Sequence, residues 1–139
     1  MVTKVKVTKT KPKFENISVR VLERVFFLIK NKKNWLQGNY VEQPDSCETM
    51  SISEVPIDEP LGDYKFCIVG AIGVSFRMFE IKDFDIKADI YSAIRKNIVD
   101  SSSYFEPRYS ELGLIAKFND VSTHKEVLDV LRKTIKELK

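Results

Sequence analysis

The hydrophobic pattern of this chain centres on nine consecutive residues, Phe66 to Val74, which carry no charge and no hydrogen-bonding side chain other than a thiol. A membrane-spanning helix needs about 20 apolar residues, so this run is too short to be one. It also has no polar face to present to water. The run therefore predicts a buried segment that the rest of the chain surrounds.

The flanking residues favour a buried helix over 63–79. Pro60 and Gly62 break the preceding segment, and Asp63 is placed to cap the first helical turn. Small residues at positions 70, 71 and 73 predict a groove that a second helix approaches closely. Such packing offsets the cost of each interior glycine, up to about 1 kcal/mol relative to alanine. A buried strand over 66–74 remains the alternative, because the run contains the β-branched residues Ile68, Val69, Ile72 and Val74.

Amphipathic patterns predict two helices nearer the chain ends. From Ser18, apolar residues recur with the i, i+3, i+4, i+7 spacing of a helix; they are Leu22, Val25, Phe26 and Ile29. At the other end, Thr123 and Glu126 form a T-x-x-E capping box, which is a helix start signal. The apolar positions that follow it are Val127, Leu128, Leu131, Ile135 and Leu138.

Two further helices are predicted between the central run and the last helix. The first begins at about Asp85 and ends at the serines 101–103. Its apolar positions are Ile86, Ile90, Ala93, Ile94 and Ile98. The second is shorter and covers about 109–118, with apolar residues Leu112, Ile115 and Phe118.

These elements predict a mainly α-helical fold. We expect one compact domain over residues 15–139, with four to six helices around the central helix 63–79, and an extended basic arm over residues 1–14. A chain of 139 residues is long enough to build one core without metals or disulfides. Residues 39–62 contain three prolines among acids and hydroxyls, so they predict a long loop with at most one short helical turn.

Charge is segregated along the chain, although the formal net charge is only +3. Five lysines precede the first acidic residue: Lys4, Lys6, Lys9, Lys11 and Lys13. Residues 42–63 contain seven acids and no lysine or arginine: Glu42, Asp45, Glu48, Glu54, Asp58, Glu59 and Asp63. The arm by itself is expected to be disordered. Basic arms also bind nucleic acid phosphates or acidic protein surfaces.

Several classes of protein find no support. No apolar stretch reaches transmembrane length and no apolar segment follows the N-terminal lysines, so we expect a soluble, cytoplasmic protein without a membrane partner. In that setting Cys47 and Cys67 are expected to be free thiols. Two cysteines and one histidine do not make a structural zinc site. Phosphate-loop, dinucleotide, HExxH and GxSxG motifs are absent, so no cofactor or metal is predicted.

Three short motifs, read together, resemble a family. They are Trp35-Leu36-Gln37-Gly38, Cys67-Ile68-Val69-Gly70-Ala71-Ile72, and Phe118-Asn119-Asp120 followed by Thr123-His124-Lys125-Glu126. Their order and spacing resemble a domain-of-unknown-function family of small bacterial and phage proteins, over about Val19 to Leu138. The chain departs from the family pattern at Phe118, where tryptophan is common, and in its long acidic loop. The resemblance implies a compact helical domain in a bacterial cell or phage-infected host, with association to a virion as a further setting, and implies no established chemistry.

Four residues could carry thiol chemistry. Cys67, His124 and either Asn119 or Asp120 are the residue types of a nucleophile, its base and an orienting group. Each also has a structural interpretation. Cys67 can be a small core residue, His124 a solvated residue in the first turn of its helix, and Asn119-Asp120 a turn that bonds its own backbone. Residues 68–73 also mimic the G-x-x-G loop of KH domains but lack the basic side chain expected beside phosphates.

The functional prediction follows from charge rather than from a catalytic motif. We expect a non-enzymatic binding or assembly protein whose arm lysines and loop acids, the sets given above, engage partners. A protein partner or a second copy is the first choice, and nucleic acid bound by the arm is the alternative. A thiol-dependent hydrolase or transferase using Cys67 and His124 remains the enzymatic alternative.

Overall fold

The computed structural model describes residues 16–46, 48–101 and 110–139. Five α-helices make up most of this part of the chain: α1 (Ile17–Ile29), α2 (Ile68–Met78), α3 (Phe84–Ser101), α4 (Glu111–Val121) and α5 (His124–Leu138). The prediction of a mainly α fold with four to six helices is confirmed. The predicted arm over 1–14, Cys47, serines 102 and 103, and the predicted helix start at Tyr109 lie outside the described residues.

A small antiparallel sheet accompanies the helices. Its strands are β1 (Val41–Glu42), β2 (Thr49–Met50) and β3 (Lys65–Phe66), and β1 lies in the middle. Val41 pairs with Met50 on one side and with Phe66 on the other. Residues 39–62 are therefore more structured than predicted. They hold two strands and a 3₁₀ helix, Ile52–Glu54, where Ser51 and Glu54 form a capping box.

The core surrounds α2, as the apolar run predicts. Helix α1 packs against α2, α3 and α5, while α3 also packs against α4 and α5. The largest fully buried aliphatic side chains come from all five helices, among them Leu22, Ile29, Ile68, Ile72, Ile90, Ile94, Ile98, Ile115 and Leu131. The pattern was wrong at Leu112, which is 37% exposed although it was expected on the apolar face of α4.

The start of α2 differs from the prediction. Asp63 does not cap this helix, because the backbone stays extended through β3 and pairs with β1 before it turns helical. Cys67 is the N-cap instead, and its Sγ accepts a hydrogen bond of 3.3 Å from the backbone N–H of Gly70. The helix thus begins at Ile68, and the alternative of a strand over 66–74 holds for Phe66 alone.

The two glycines within α2 face a loop and not a second helix. A Cβ added at Gly70 would overlap the backbone carbonyl of Tyr40. At Gly73 an added Cβ would lie 2.8 Å from Cγ2 of Ile52. Both contacts come from residues 39–62, so at the two glycines the segment that approaches is the loop and not the predicted second helix. The long loop packs there because glycine lets its backbone approach the helix.

The capping box predicted for the last helix is confirmed. Thr123 accepts a 3.1 Å hydrogen bond from the backbone N–H of Glu126, and Glu126 accepts a 2.8 Å hydrogen bond from the backbone N–H of Thr123. Among the described residues, no helix is both long enough and apolar enough to cross a membrane.

Candidate functional site

The three motifs of the sequence meet at one junction, and Asn119 lies at its centre. This fully buried residue belongs to the last turn of α4. Its Oδ1 accepts hydrogen bonds of 2.8 Å from Trp35 Nε1 and 3.0 Å from the backbone N–H of Ile68. Its Nδ2 donates to the carbonyl of Leu36 at 2.9 Å. One amide therefore joins the Trp-x-x-Gly segment, the start of α2 and the end of α4.

Neighbouring polar groups strengthen this junction. Gln37 Nε2 lies 3.0–3.1 Å from three backbone carbonyls around the end of α4, those of Asn119, Asp120 and Ser122. The backbone N–H of Gly38 donates to Asp120 Oδ1 at 2.9 Å. Asn119 and Asp120 were expected to bond their own turn. Both instead bind the segment 35–38, which folds back across the end of the helix.

His124 is also part of the junction and not a solvated side chain. Its Nε2 donates a 2.7 Å hydrogen bond to the carbonyl of Ile29, and the donor role follows because a carbonyl only accepts. Ile29 ends α1, so this bond satisfies a carbonyl that has no partner within the helix. The imidazole ring also lies 5.3 Å from the Trp35 ring, centroid to centroid.

A cleft of about 300 Å³ opens beside the junction, lined by Gly38, Asn39, Tyr40, Cys67, Ala116 and Asp120. Cys67 is only 3% exposed, and burial raises the pKa of its thiol from 9.0 to about 11. This pKa already includes a lowering by the hydrogen bond from Gly70 and a smaller increase caused by the Asp120 carboxylate. The thiol is consequently protonated at neutral pH, and the thiolate is the form that a nucleophile needs.

These contacts weigh against the thiol alternative. The sulfur of Cys67 accepts from the backbone of Gly70, and Nε2 of His124 donates to the backbone of Ile29. Both groups thus serve the ends of helices. The enzymatic alternative stays a prediction. Within the described ranges, no group of three or more histidine, cysteine or carboxylate side chains is placed to hold a metal ion.

The acidic loop is fastened to the helical core from two directions. Arg77 of α2 donates from Nη1 to the carbonyls of Ile52 and Val55, at 2.7 and 2.8 Å. Asn34, which is buried, donates from Nδ2 to the carbonyls of Gly62 and Tyr64, at 2.7 and 2.9 Å. The middle and the end of the loop are therefore held in place by side chains of the helical core and its flanking turn.

Two of the predicted loop acids make contacts that stabilise the loop itself. Glu42 lies 3.8 Å from Lys65 of the neighbouring strand, and Glu54 completes its capping box. The other five carboxylates are exposed: Asp45, Glu48, Asp58, Glu59 and Asp63. None of these five takes part in an ion pair within the described part of the chain. The predicted arm lysines Lys4, Lys6, Lys9, Lys11 and Lys13 lie outside it.

Sequence reasoning missed the residues that connect these parts. Gln37, Asn34 and Arg77 bind backbone carbonyls far away in the chain, and no local periodicity marks such a contact. The only available signal was the Trp-x-x-Gly motif, since an indole N–H that is removed from water needs an acceptor.

The fold and this junction define a small helical domain in which buried Asn119 joins the segment 35–38 to the start of α2 and the end of α4. The chain belongs to DUF6197, a family of unknown function, whose model matches residues 18–137. The resemblance to a domain-of-unknown-function family is thereby confirmed. A search of curated proteins and a search of solved structures each returned no match.

Proposed function

We propose that this chain is a non-enzymatic assembly protein, in which the basic arm of one copy binds the acidic loop of another. The observation that supports the proposal is that Arg77 and Asn34 hold the backbone of the loop, whose exposed carboxylates form no ion pair with a described residue. A surface held in place before binding loses less conformational entropy when a partner arrives. The five arm lysines supply the opposite charge within the same chain.

Nucleic acid is the less favoured partner because the loop would repel its phosphates. The carboxylates stand on the same domain from which the arm extends, and like charges brought together at an interface are unfavourable. A second copy avoids this conflict, since each molecule offers one basic and one acidic surface. Contacts of this head-to-tail kind need not be symmetric and can continue from copy to copy.

The experiment compares the molar mass of three proteins by sedimentation over a range of protein concentrations at low salt. These are the full chain, a chain lacking residues 1–13, and a loop variant with Asp45→Asn, Glu48→Gln, Asp58→Asn and Glu59→Gln. We expect the full chain to self-associate and both altered chains to remain monomeric. Added salt should dissociate the full-length assembly, because exposed charges are screened within about 10 Å at 0.1 M.

A matched control removes the same number of acids elsewhere, with Glu80→Gln, Asp83→Asn, Asp85→Asn and Asp89→Asn around the start of α3. Asp83 Oδ1 accepts from the backbone N–H of Asp85 at 2.8 Å, and asparagine preserves that cap. This control should assemble like the original chain. A full-length chain that stays monomeric at every concentration would overturn the proposal. If that monomer also retains an oligonucleotide only when residues 1–13 are present, the nucleic-acid alternative replaces it.

A further inference from the structure

A second cleft, of about 680 Å³, lies between the end of α1 and the last part of the acidic loop. Its apolar lining includes Phe27, Leu28, Ile57, Leu61 and Met78. Phe27 is 56% exposed, which is unusual for a large aromatic side chain. The volume falls in the range of about 300–1,000 Å³ that is typical of binding pockets.

The two walls of this cleft carry opposite charges. Glu59 and Asp63 stand on the loop wall, and Arg24, Lys30 and Lys33 stand on the wall formed by α1 and the residues after it. None of these five forms an ion pair with a described residue. Arg24 and Lys30 instead lie over the Phe27 ring, at 5.4 and 4.9 Å from its centroid. The carboxylates of the loop wall thus remain available to a cationic ligand.

We propose that this cleft is the binding site for the basic arm of a second copy, with the valines of Lys4-Val5-Lys6-Val7 against its apolar lining. The inference rests on the proposed function and names the part of the loop that the arm occupies. In an extended segment alternate side chains point to opposite faces. Val5 and Val7 therefore share one face, and the long side chains of Lys4 and Lys6 start from the other and reach the carboxylates at the rim.

The length of the arm is sufficient for this contact. Eight residues, 8–15, separate Val7 from the first described residue, Asn16, and an extended chain between these two residues spans at most about 30 Å. Because α1 is 13 residues long, its axis measures about 20 Å. An arm can therefore leave the start of α1 in one copy and reach the end of α1 in a neighbouring copy.

Removing the charges of the two walls should change the strength of self-association in opposite directions, and this difference tests the inference. Glu59→Gln with Asp63→Asn should weaken self-association about three- to tenfold, the effect of losing two exposed ion pairs. Lys30→Gln with Lys33→Gln should strengthen it about twofold or more, because these cations repel the arm lysines. Phe27→Ser should weaken association even at high salt, and its exposure lets the variant fold.

A control on the other end of the loop separates this inference from the proposed function. Asp45→Asn with Glu48→Gln removes two acids from the turn between β1 and β2, away from the cleft lining, and should change association less than the Glu59 and Asp63 pair does. A larger loss of association in the Asp45 and Glu48 variant than in the Glu59 and Asp63 variant would overturn the cleft assignment. It would leave the proposed function standing. If deletion of residues 1–13 has no effect on association, both fail. Weaker association after the lysine neutralisations would also overturn the inference, because it would indicate an acidic occupant.

Carbodiimide coupling provides a direct test of the contact. A mixture of ¹⁵N-labelled and unlabelled full-length chains is cross-linked at low salt, digested and examined by mass spectrometry. We expect Lys4 or Lys6 of one copy to be joined to Glu59 or Asp63 of the other, seen as peptide pairs of mixed label. Pairs in which both peptides always carry the same label would show binding within one chain and would overturn the proposal.

Discussion

At the scale of single residues, the environment of a side chain decides its chemistry. Cys67 and His124 have the composition of a catalytic pair, yet both direct their polar atoms to backbone groups at helix ends. Burial leaves the thiol without the water that would stabilise its charged form, and the pKa rises to about 11. The same burial makes Cys67 useful as an N-cap inside the core, where a charged side chain would be costly.

The raised pKa of Cys67 predicts a pH dependence of stability. The folded thiol keeps its proton up to about pH 11, whereas an unfolded one loses it above about 9. Stability is therefore unaffected below pH 9 and falls as the pH rises towards 11, by about 2–3 kcal/mol in total. Cys67→Ser is the control, because serine still caps the helix and does not titrate there. The difference in free energy of unfolding between the two proteins, measured by urea denaturation at several pH values, should show this fall; a difference that is constant with pH would contradict it.

At the scale of elements, the loop and α2 depend on each other. The loop approaches the helix at Gly70 through the Tyr40 backbone and at Gly73 through the Ile52 side chain. Arg77, one turn further along, binds two carbonyls of the same loop. A helix with two interior glycines is weak by propensity, so α2 is stabilised by its surroundings more than by its own sequence.

The two glycines predict unequal effects of adding a methyl group. Gly70→Ala should destabilise the protein by about 1–3 kcal/mol, because the new Cβ meets a backbone carbonyl that cannot rotate away. Gly73→Ala should cost less, since the Ile52 side chain can change its rotamer. Both changes bring the same gain in helix propensity, so each is a control for the other. Equal losses of stability in thermal unfolding, or a larger loss at Gly73, would show that the loop does not lie where the structure places it.

At the scale of the whole molecule, the folded core and the charged surfaces are separate parts. The buried cluster runs from Val21 to Leu131, and the family model likewise covers residues 18–137. The five exposed carboxylates of the loop stand outside that cluster, and the loop backbone is held by Arg77 and Asn34. This separation lets binding surfaces change without altering the residues that stabilise the fold.

Removal of residues 1–13 should accordingly leave the stability of the monomer nearly unchanged. We expect a shift of the unfolding midpoint below about 2 °C, because all the described residues that form the buried cluster are kept. Calorimetry at high salt and low protein concentration provides the measurement, since assembly would otherwise stabilise the full chain. A fall of about 5 °C or more would indicate that the arm packs on its own domain, and the association experiments would then need a variant that keeps it.

Local signals in the sequence were sufficient to predict the helices and the burial of residues 66–74. Periodic apolar residues and the Thr123 capping box act over a few positions, so each can be interpreted without knowledge of the rest of the fold. Charge segregation between arm and loop is likewise a property of the sequence alone. The resemblance of the three motifs placed the chain in an uncharacterised family, which the family model confirms.

Only the tertiary structure decided what joins these elements. Asn119 binds Trp35 and Ile68 across 84 and 51 positions of the chain, and no local pattern encodes partners so far apart. The start of α2 moved from Asp63 to Ile68 because β3 first pairs with β1, which is itself a distant contact. The small residues of α2 indicated a close approach, but the approaching segment was set by the path of the loop. Hydrogen bonds and packing between distant segments depend on the whole fold, and that is why the sequence determined the elements while the structure determined the junction and the clefts.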